Sequence, residues 1–426
     1  MNQKSALMEP VKLTPLQLMG IFICFLMNML DGMDVMVVSY TAPSIAKEWA
    51  VSPGVLGVVL SAGLVGMSVG AMFLAPLGDL IGRRTMIMTS ALIMGLTVWA
   101  TIVAQSVEIL VLFRFLSGLG IGCMLASTAT LTAENAPARS KDFWVSFVLG
   151  GYPIGAVLSG LATASIIPVY GWRMVFQMAG IVTLATLPIL YFALAESLDF
   201  LLKTRPANAL ARVNAILKRM NQPELAVLPV IPKEEVVRTS LNELFSGGRM
   251  MATIRLWISI FMAFATLYFL TLWIPKLASN AGLSLSLAIY SGTVFNLGAF
   301  VGIVSQGYLS SRFGLRRTIF AFLIGTAILM VLFGLFKGSF LILILLGLIG
   351  FGVQGGFVGM YAIAAGLYPT AVRATGVGLT VSIGRVGGII GPLIGGVLIG
   401  MGFSMTFSFI VFAVPLLVGA VTVLKK

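Results

Sequence analysis

Two aspartates, Asp31 and Asp34, stand inside an apolar stretch, Leu16 to Tyr40, that is long enough to cross a membrane. A charged carboxylate near the middle of a bilayer costs at least about 2.5–3.5 kcal/mol on insertion scales, so such residues tend to be retained for work. Three residues apart on a helix, the two side chains face nearly the same way. They could share a proton, a cation or an arginine in one water-accessible cavity; the plainer alternative is that one of them caps a kink or pairs an arginine. Histidine, the usual proton carrier near neutral pH, is absent from the chain, so any proton coupling falls on carboxylates. Arg114 and Arg385 also fall inside apolar stretches. A guanidinium offers a planar fork suited to a carboxylate, better than lysine would. No acidic residue follows Glu243, so a partner for Arg385 comes from the first half of the chain or from a ligand. Tyr268, Trp273, Phe295, Asn296, Gln354 and Tyr361 on neighbouring stretches could hold a ring and its polar substituents. Residues of these types more often pack or anchor at interfaces.

The elements that must position these groups follow from composition. With 59% apolar residues, 10% charged, a mean hydropathy of +1.06 and 48 glycines in 426 residues, the chain is a polytopic membrane protein. Stretches long enough to span ~30 Å of hydrocarbon recur at 16–40, 54–76, 85–105, 109–133, 143–167, 172–194, 254–276, 284–309, 318–338, 339–365, 375–398 and 403–424, which predicts an all-α protein of twelve transmembrane helices. The one long polar stretch divides the chain into an N-terminal six-helix bundle (1–194), a linker (195–253) and a C-terminal six-helix bundle (254–426). Within the linker, residues 198–202 and 209–220 alternate apolar and basic positions at near-helical spacing, as short helices lying on the membrane surface would. Nothing chemical is concentrated there, and no site is assigned to it.

A net charge of +13 would point to nucleic acid in a soluble protein, but its distribution gives a different reading. Of the 27 basic residues, 21 fall on the side of the N terminus, and only Lys47, Arg173, Lys276 and Lys337 fall opposite. The positive-inside rule therefore places both termini in the cytoplasm, and no nucleic-acid role is implied. The two cysteines, Cys24 and Cys123, lie in apolar spans and form neither a disulfide framework nor a metal site, which would need clustered ligands. No short apolar region with a cleavage site precedes the first span, so that span itself is expected to direct insertion.

The two halves repeat one another. Gly78-Asp79-Leu80-Ile81-Gly82-Arg83-Arg84 follows the second span, and Gly307-Tyr308-Leu309-Ser310-Ser311-Arg312-Phe313-Gly314-Leu315-Arg316-Arg317 follows the eighth. Aligning Gly82 with Gly314 sets Asp79 against Ser311 and Arg84 against Arg316. Glu134-Asn135-Ala136-Pro137-Ala138-Arg139 after the fourth span is matched by Leu367-Tyr368-Pro369-Thr370-Ala371-Val372-Arg373 after the tenth. A duplicated six-helix unit predicts this, and transporters are commonly built so, with the substrate between the repeats.

At these residues the chain resembles the major facilitator superfamily along essentially its whole length. The Asp-x-x-Gly-Arg-Arg loop is that superfamily's signature, with its early glycine replaced by Ala75. Arg114-Phe115-Leu116-Ser117-Gly118-Leu119-Gly120-Ile121-Gly122 resembles its fourth-helix motif, whose arginine is linked to proton coupling. Leu30-Asp31-Gly32-Met33-Asp34 followed by Ala42-Pro43-Ser44-Ile45 resembles the first-helix signature of the aromatic acid:proton symporter family. The resemblance implies two pseudo-symmetric bundles working by alternating access. It implies that Asp31, Asp34 and Arg114 couple the proton; Arg385, ten residues into the eleventh span and so near the midplane where such transporters bind substrate, is expected to take the carboxylate of a small aromatic acid. Counting 1.5 Å per residue from the span ends puts Asp34 about 9 Å and Arg114 about 8 Å from the same surface, so the depths are compatible. Glu134 falls at the opposite end of its helix and is expected to form a cytoplasmic gate with Asp79, Gly82, Arg83, Arg84 and Arg139.

Weaker patterns carry no chemistry. Gly350-Phe351-Gly352-Val353-Gln354-Gly355 matches a dinucleotide fingerprint but lies in an apolar span with no strand before it, so it is helix packing. Gly391-Pro392 resembles the exporter motif of the superfamily but stands in the eleventh span, while the fifth carries Gly150-Gly151-Tyr152-Pro153-Ile154-Gly155, which argues against drug efflux. No phosphate loop, metal cluster or catalytic constellation is found, so the chain is expected to be no enzyme and to need no cofactor. The expected protein is a monomeric importer of a small aromatic carboxylate with protons, in a bacterial inner membrane. Rival readings are uptake of a non-aromatic acid such as a sugar acid or dicarboxylate, export by proton antiport, or a membrane substrate sensor.

Overall fold

The computed structural model describes residues 13–137, 140–229, 244–246, 248–335, 339–369 and 372–424. In hydrocarbon each backbone N–H and C=O must be satisfied within the chain, so long apolar segments become helices. They are α1 (Pro15–Glu48), α2 (Pro53–Val69, continued by a π turn over Gly70–Leu74), α3 (Arg83–Ala100) and α4 (Val107–Asn135). A helical run of 51 residues, Phe143–Ala193, follows; at 1.5 Å per residue it is about 75 Å long, far more than one crossing needs. Gly171, with φ 79° and ψ 173°, breaks it into α5 (residues 141–170) and α6 (residues 172–193). The second half supplies α7 (Met250–Asn280), α8 (Leu285–Phe313), α9 (Leu315–Leu332), α10 (Ser339–Leu367), α11 (Arg373–Gly400) and α12 (Met405–Leu424). Among the described residues, 11 helical runs are long and apolar enough to span a membrane, and the break at Gly171 makes the expected twelve crossings of them. One boundary differs from expectation: α1 continues past Tyr40 to Glu48, so Asp34 lies farther from the helix end than the span limits implied.

The internal repeat is visible in the elements. Pro53–Ile81 and Leu285–Phe313 are each 29 residues, α3 and α9 each 18, α4 and α10 each 29. Gly82 (φ 100°, ψ 150°) and Gly314 (φ 90°, ψ 138°) occupy the same turn in each half. This left-handed backbone region favours glycine, which is why the two loops rhyme there.

The chain divides into two compact units. The first comprises Met1–Asp34, Val65–Gly155 and Phe176–Glu235. Its core is the packing of α3 on α4, with Met86, Ile87, Met94, Leu110, Ile121 and Met124 buried. The linker helices Leu198–Thr204 and Ala209–Arg219 also belong to it. They do not spread apolar faces for a membrane surface: Phe200, Leu201 and Leu202 pack against Val213 and Leu217 in a small core of their own, because two short amphipathic helices joined by a tight turn bury their stripes on each other.

The second unit comprises Val35–Leu64, Ala156–Val175 and Val236–Lys426. Hydrogen bonds inside the apolar packing tie α1 and α2 to C-terminal helices, and α1 to α5. The Ser39 hydroxyl donates to the carbonyls of Leu272 (2.9 Å) and Thr271 (3.1 Å), and the Ser61 hydroxyl to that of Ile389 (3.1 Å). Tyr40, fully buried, donates to the Ala156 carbonyl at 2.9 Å. Elsewhere α8 meets α10 through small residues. A Cβ on Gly350 would strike the Phe295 carbonyl, and one on Gly352 or Gly355 would strike Thr326 or Phe322. The glycine run at 350–355 is therefore packing, as its apolar setting implied.

Substituting Gly350→Val is expected to destabilise the protein by about 1–3 kcal/mol through overpacking, read as a lower unfolding temperature of the purified protein. Gly307→Ala, where a Cβ meets nothing within 4 Å, should leave that temperature unchanged or slightly raised; equal losses in both would contradict this packing.

Candidate functional site

The charges read from the first and fourth spans meet. Arg114 on α4 donates through Nη1 to Asp34 Oδ1 on α1 at 2.8 Å, and the Ser117 hydroxyl donates to Asp34 Oδ2. Asp34 is 2% exposed and Arg114 3%. The guanidinium sits 4.9 Å from the centre of the Phe176 ring on α6, so an aromatic face covers the side that the carboxylate leaves open. Ser117 lies one turn beyond Arg114 on the same face of α4, which lets one helix supply both donors. Ser117 was not singled out from sequence, although its spacing of three from Arg114 carried that signal.

Asp31 has a different environment. It is 1% exposed, and neither carboxylate oxygen has a hydrogen-bond donor among the described residues. One turn earlier Asn28, fully buried, donates to the Cys24 carbonyl at 3.1 Å and to Thr128 Oγ1 at 2.9 Å, which leaves its own carbonyl oxygen without a partner. Between the two aspartates, Gly32 allows α5 to come close: a Cβ there would strike the Tyr152 carbonyl, and one on Gly155 would strike that of Met29. The glycine of the Asp-Gly-x-Asp pattern is thus a contact point between helices, and this contact excludes water from the charged residues on either side.

A second group forms around Arg385 on α11. Tyr268 and Tyr361 both lie within electrostatic reach of its guanidinium. Phe264 stacks on Tyr268 with ring centres 5.8 Å apart, Phe264 meets Phe357 edge-on at 4.6 Å, and Phe357 meets Tyr361 edge-on at 5.3 Å. Helices α7 and α10 thereby set an aromatic row beside the arginine, and Arg385, Tyr268 and Tyr361 are each only half-buried. Gln354 is half-buried on α10 one turn before Phe357. Phe264 and Phe357 complete the row without having been picked out from sequence; their spacing of four from Tyr268 and Tyr361 was the available signal. Trp273 and Phe295 are fully buried, and Trp273 Nε1 donates to the Pro392 carbonyl at 2.9 Å. Asn296 is also buried and donates to the Gly292 carbonyl at 2.9 Å. These three lie in helix packing and are not brought into the row.

The loop after α2 forms a third group with the end of α4. Asp79 pairs with Arg83, whose Nη2 lies 3.7 Å from Glu134 Oε1. Arg84 donates its side chain to the Tyr191 carbonyl and lies over that ring, while its backbone N–H donates to Glu196 Oε1 at 3.1 Å. Glu196 Oε1 also accepts the Ser197 N–H at 2.9 Å. A buried carboxylate thus stands at the N-terminus of α3, where the helix dipole favours it. The linker was assigned no site, so Glu196 was missed; it stands just past the sixth span with no motif to mark it. Arg139 lies outside the described residues. Among the described residues no group of histidine, cysteine or carboxylate side chains could hold a metal.

A family model described as Major Facilitator Superfamily matches residues 24–306 and 256–426. The 4-hydroxybenzoate transporter PcaK of Pseudomonas aeruginosa is 31% identical over 97% of this chain and 93% of its own length. The gallate transporter of Pseudomonas putida is 31% identical over 95% of this chain and 90% of its own. Among solved structures, a D-xylose-proton symporter superposes with a TM-score of 0.75 at 18% identity, covering 96% of this chain and 97% of that one, a likeness of fold.

Asp34→Asn leaves a buried arginine without its counter-ion and is expected to cost about 3–5 kcal/mol, whereas Ser117→Ala removes one hydrogen bond and should cost about 1 kcal/mol. Thermal unfolding of the purified variants tests the ranking, and a Ser117→Ala loss equal to that of Asp34→Asn would contradict it. Glu196→Ala, which strips two backbone N–H groups of their acceptor, should cost about 1–2 kcal/mol.

Proposed function

The chain belongs to the major facilitator superfamily and, within it, to the aromatic acid:proton symporter family, and on that premise we propose that it imports a small aromatic carboxylate together with protons. It is an integral membrane transporter and not an enzyme. The observation that carries the reading is a pair of buried aspartates one turn apart, of which Asp34 is paired with Arg114 and Asp31 has no hydrogen-bond partner among the described residues. Such an arrangement keeps one charge fixed and leaves the other responsive to protons or substrate. The relatives named for 4-hydroxybenzoate and gallate support a benzoate-like substrate.

In this reading Arg385 takes the substrate carboxylate in a bidentate, charge-assisted contact. The row of Tyr268, Phe264, Phe357 and Tyr361 stacks on the ring, and Gln354 is in register to meet a ring substituent. Tyr268 and Tyr361 add phenolic hydroxyls, which both donate and accept, a fit for hydroxylated benzoates. Asp79, Gly82, Arg83, Arg84 and Glu134, with Arg139, form the cytoplasmic gate, which Glu196 joins by holding the start of α3. The bundles 1–194 and 254–426 alternate access as functional halves joined by the 195–253 linker, with both termini cytoplasmic and the protein a monomer in the bacterial inner membrane. The ties of Ser39 and Ser61 to carbonyls of α7 and α11 are the contacts that must open on the far side during the cycle.

The test is uptake of labelled benzoate, hydroxybenzoates and a non-aromatic acid into proteoliposomes with and without an inward-acid pH gradient. Gradient-driven accumulation of an aromatic acid is expected. Wild-type uptake indifferent to the gradient, or confined to the non-aromatic acid, would overturn the reading, and binding without accumulation would point to a sensor. Arg385→Lys keeps the charge but loses the planar fork, so the substrate concentration for half-maximal uptake should rise about tenfold or more. An unchanged value would remove Arg385 from the carboxylate site.

A further inference from the structure

We propose that the second half of the chain carries, at the helix ends where α12 stops, a binding site for the phosphate headgroup of an anionic phospholipid, held by Arg255 on α7 and Arg316 on α9. The site shares no residue with the aspartate cluster or with the group at Arg385, and it stands whichever acid is carried.

The internal repeat locates it. Aligning Gly82 with Gly314 sets Arg84 against Arg316, and the two arginines make the same contact in their own halves. Arg84 donates to the Tyr191 carbonyl near the end of α6, and Arg316 donates through Nη1 to the Val423 carbonyl near the end of α12 at 2.8 Å. The charge around them differs. In the first half three carboxylates serve this turn: Asp79 pairs with Arg83, Glu134 lies 3.7 Å from the same guanidinium, and Glu196 accepts the Arg84 N–H. In the second half Ser311 stands where Asp79 does, and aligning Pro137 with Pro369 sets Gly366 against Glu134. No acidic residue follows Glu243, so α8 to α12 offer no counterpart of Glu196 either. The repeat has kept its arginine there and lost its carboxylates, and an anion from outside these helices takes their place.

Shape selects the kind of anion. Arg255 and Arg316 line one open cleft of about 270 Å³, together with Leu256, Ile363, Leu367 and Val423. Both arginines are half-buried, and two arginines on one cleft suit the several oxygens of a phosphate, which guanidinium groups meet in pairs. The volume falls below the ~300–1,000 Å³ of pockets that enclose a whole small molecule, so it fits a headgroup whose chains stay outside. The wall between the arginines is largely aliphatic, and Met250, Met251 and Leu424, exposed on the same helix ends, extend the apolar surface. A free phosphate gains nothing from such a wall, whereas a phospholipid lays its glycerol and acyl carbons along it. Basic pockets between helix ends at a membrane face take anionic headgroups on these grounds.

The experiment titrates the full chain in detergent with phosphatidylglycerol, phosphatidylcholine or inorganic phosphate, counts bound lipid by native mass spectrometry and follows thermal unfolding. The wild type should bind phosphatidylglycerol about tenfold or more tightly than phosphatidylcholine, and its unfolding temperature should rise with the former alone. A hydrogen bond to a charged group is worth about a factor of ten in affinity, so Arg255→Gln and Arg316→Gln should each weaken phosphatidylglycerol binding about tenfold. Arg312→Gln, exposed and outside the cleft, should leave it unchanged. Gly366→Glu returns the carboxylate of the first half one turn from Ile363; a Cβ on Gly366 meets nothing within 4 Å, so this variant should fold and bind phosphatidylglycerol about tenfold less tightly. Because Arg316→Gln also cuts the tie to Val423, the folded Arg255→Gln and Gly366→Glu proteins decide the matter if it does not fold. Equal binding of phosphatidylcholine, displacement of the lipid by an equal concentration of inorganic phosphate, or full binding by folded Arg255→Gln would overturn the proposal. Binding is read at equilibrium without transport, so its failure leaves the symport reading intact, and failure of symport leaves this site standing.

Discussion

A charge that has left water must find its compensation inside the protein, and the arrangement of α1 and α4 follows from that requirement. Arg114 and Asp34, both almost wholly buried, meet at 2.8 Å. Either alone at that depth would cost several kcal/mol; paired, with a Ser117 hydroxyl on the second oxygen and the Phe176 ring under the guanidinium, they form a neutral unit that hydrocarbon tolerates. The pair fixes the register of α1 against α4, since sliding either helix by one turn would part the charges. Asp31 then lies one turn along α1 with no hydrogen-bond donor among the described residues. The compensation of one aspartate leaves the other without a partner.

That pairing holds only if the helices can approach closely enough to exclude water. Gly32 stands between the aspartates, where any side chain would strike the Tyr152 carbonyl, and Gly155 answers it across the seam against Met29. In the second half the same device brings α8 to α10 at Gly350 and α7 to α11 at Gly387, against the carbonyls of Phe295 and Phe261. Since lipid tails are as apolar as leucine, helices in a bilayer gain little from hydrophobic burial on each other. Close backbone approach and buried hydrogen bonds, such as that of Trp273 to the Pro392 carbonyl, therefore replace the oily core of a soluble protein. The 48 glycines of the chain are what this mode of packing needs.

The two functional groups use opposite chemistry. The N-terminal cluster is buried, and among the described residues the oxygens of Asn28 and Asp31 and the Nε and Nη2 of Arg114 have no hydrogen-bond partner. The group at Arg385 is half-exposed and lined by rings, a cation set beside π faces and two phenols.

Much of this was legible in the residues. Apolar segment length gave the helices because backbone groups in hydrocarbon must be satisfied locally, a rule that depends on the chain's own composition and on little else. The rhyme of Gly82 with Gly314 predicted an internal repeat, and the two positions share one backbone conformation. Asp31, Asp34, Arg114 and Arg385 stood out because charge in an apolar stretch is costly wherever the chain goes. What folding alone decided depends on distance between segments far apart in sequence. It chose Asp34 over Asp31 as the partner of Arg114, enlisted Ser117, Asn28 and Glu196, and ran α1 on to Glu48. It also turned the linker helices onto each other instead of onto a membrane, and sent Trp273, Phe295 and Asn296 into packing while Tyr268 and Tyr361 faced Arg385. Cost of burial is a property of one residue and can be read along the chain; compensation is a property of pairs, and only the packed structure brings the members of a pair together.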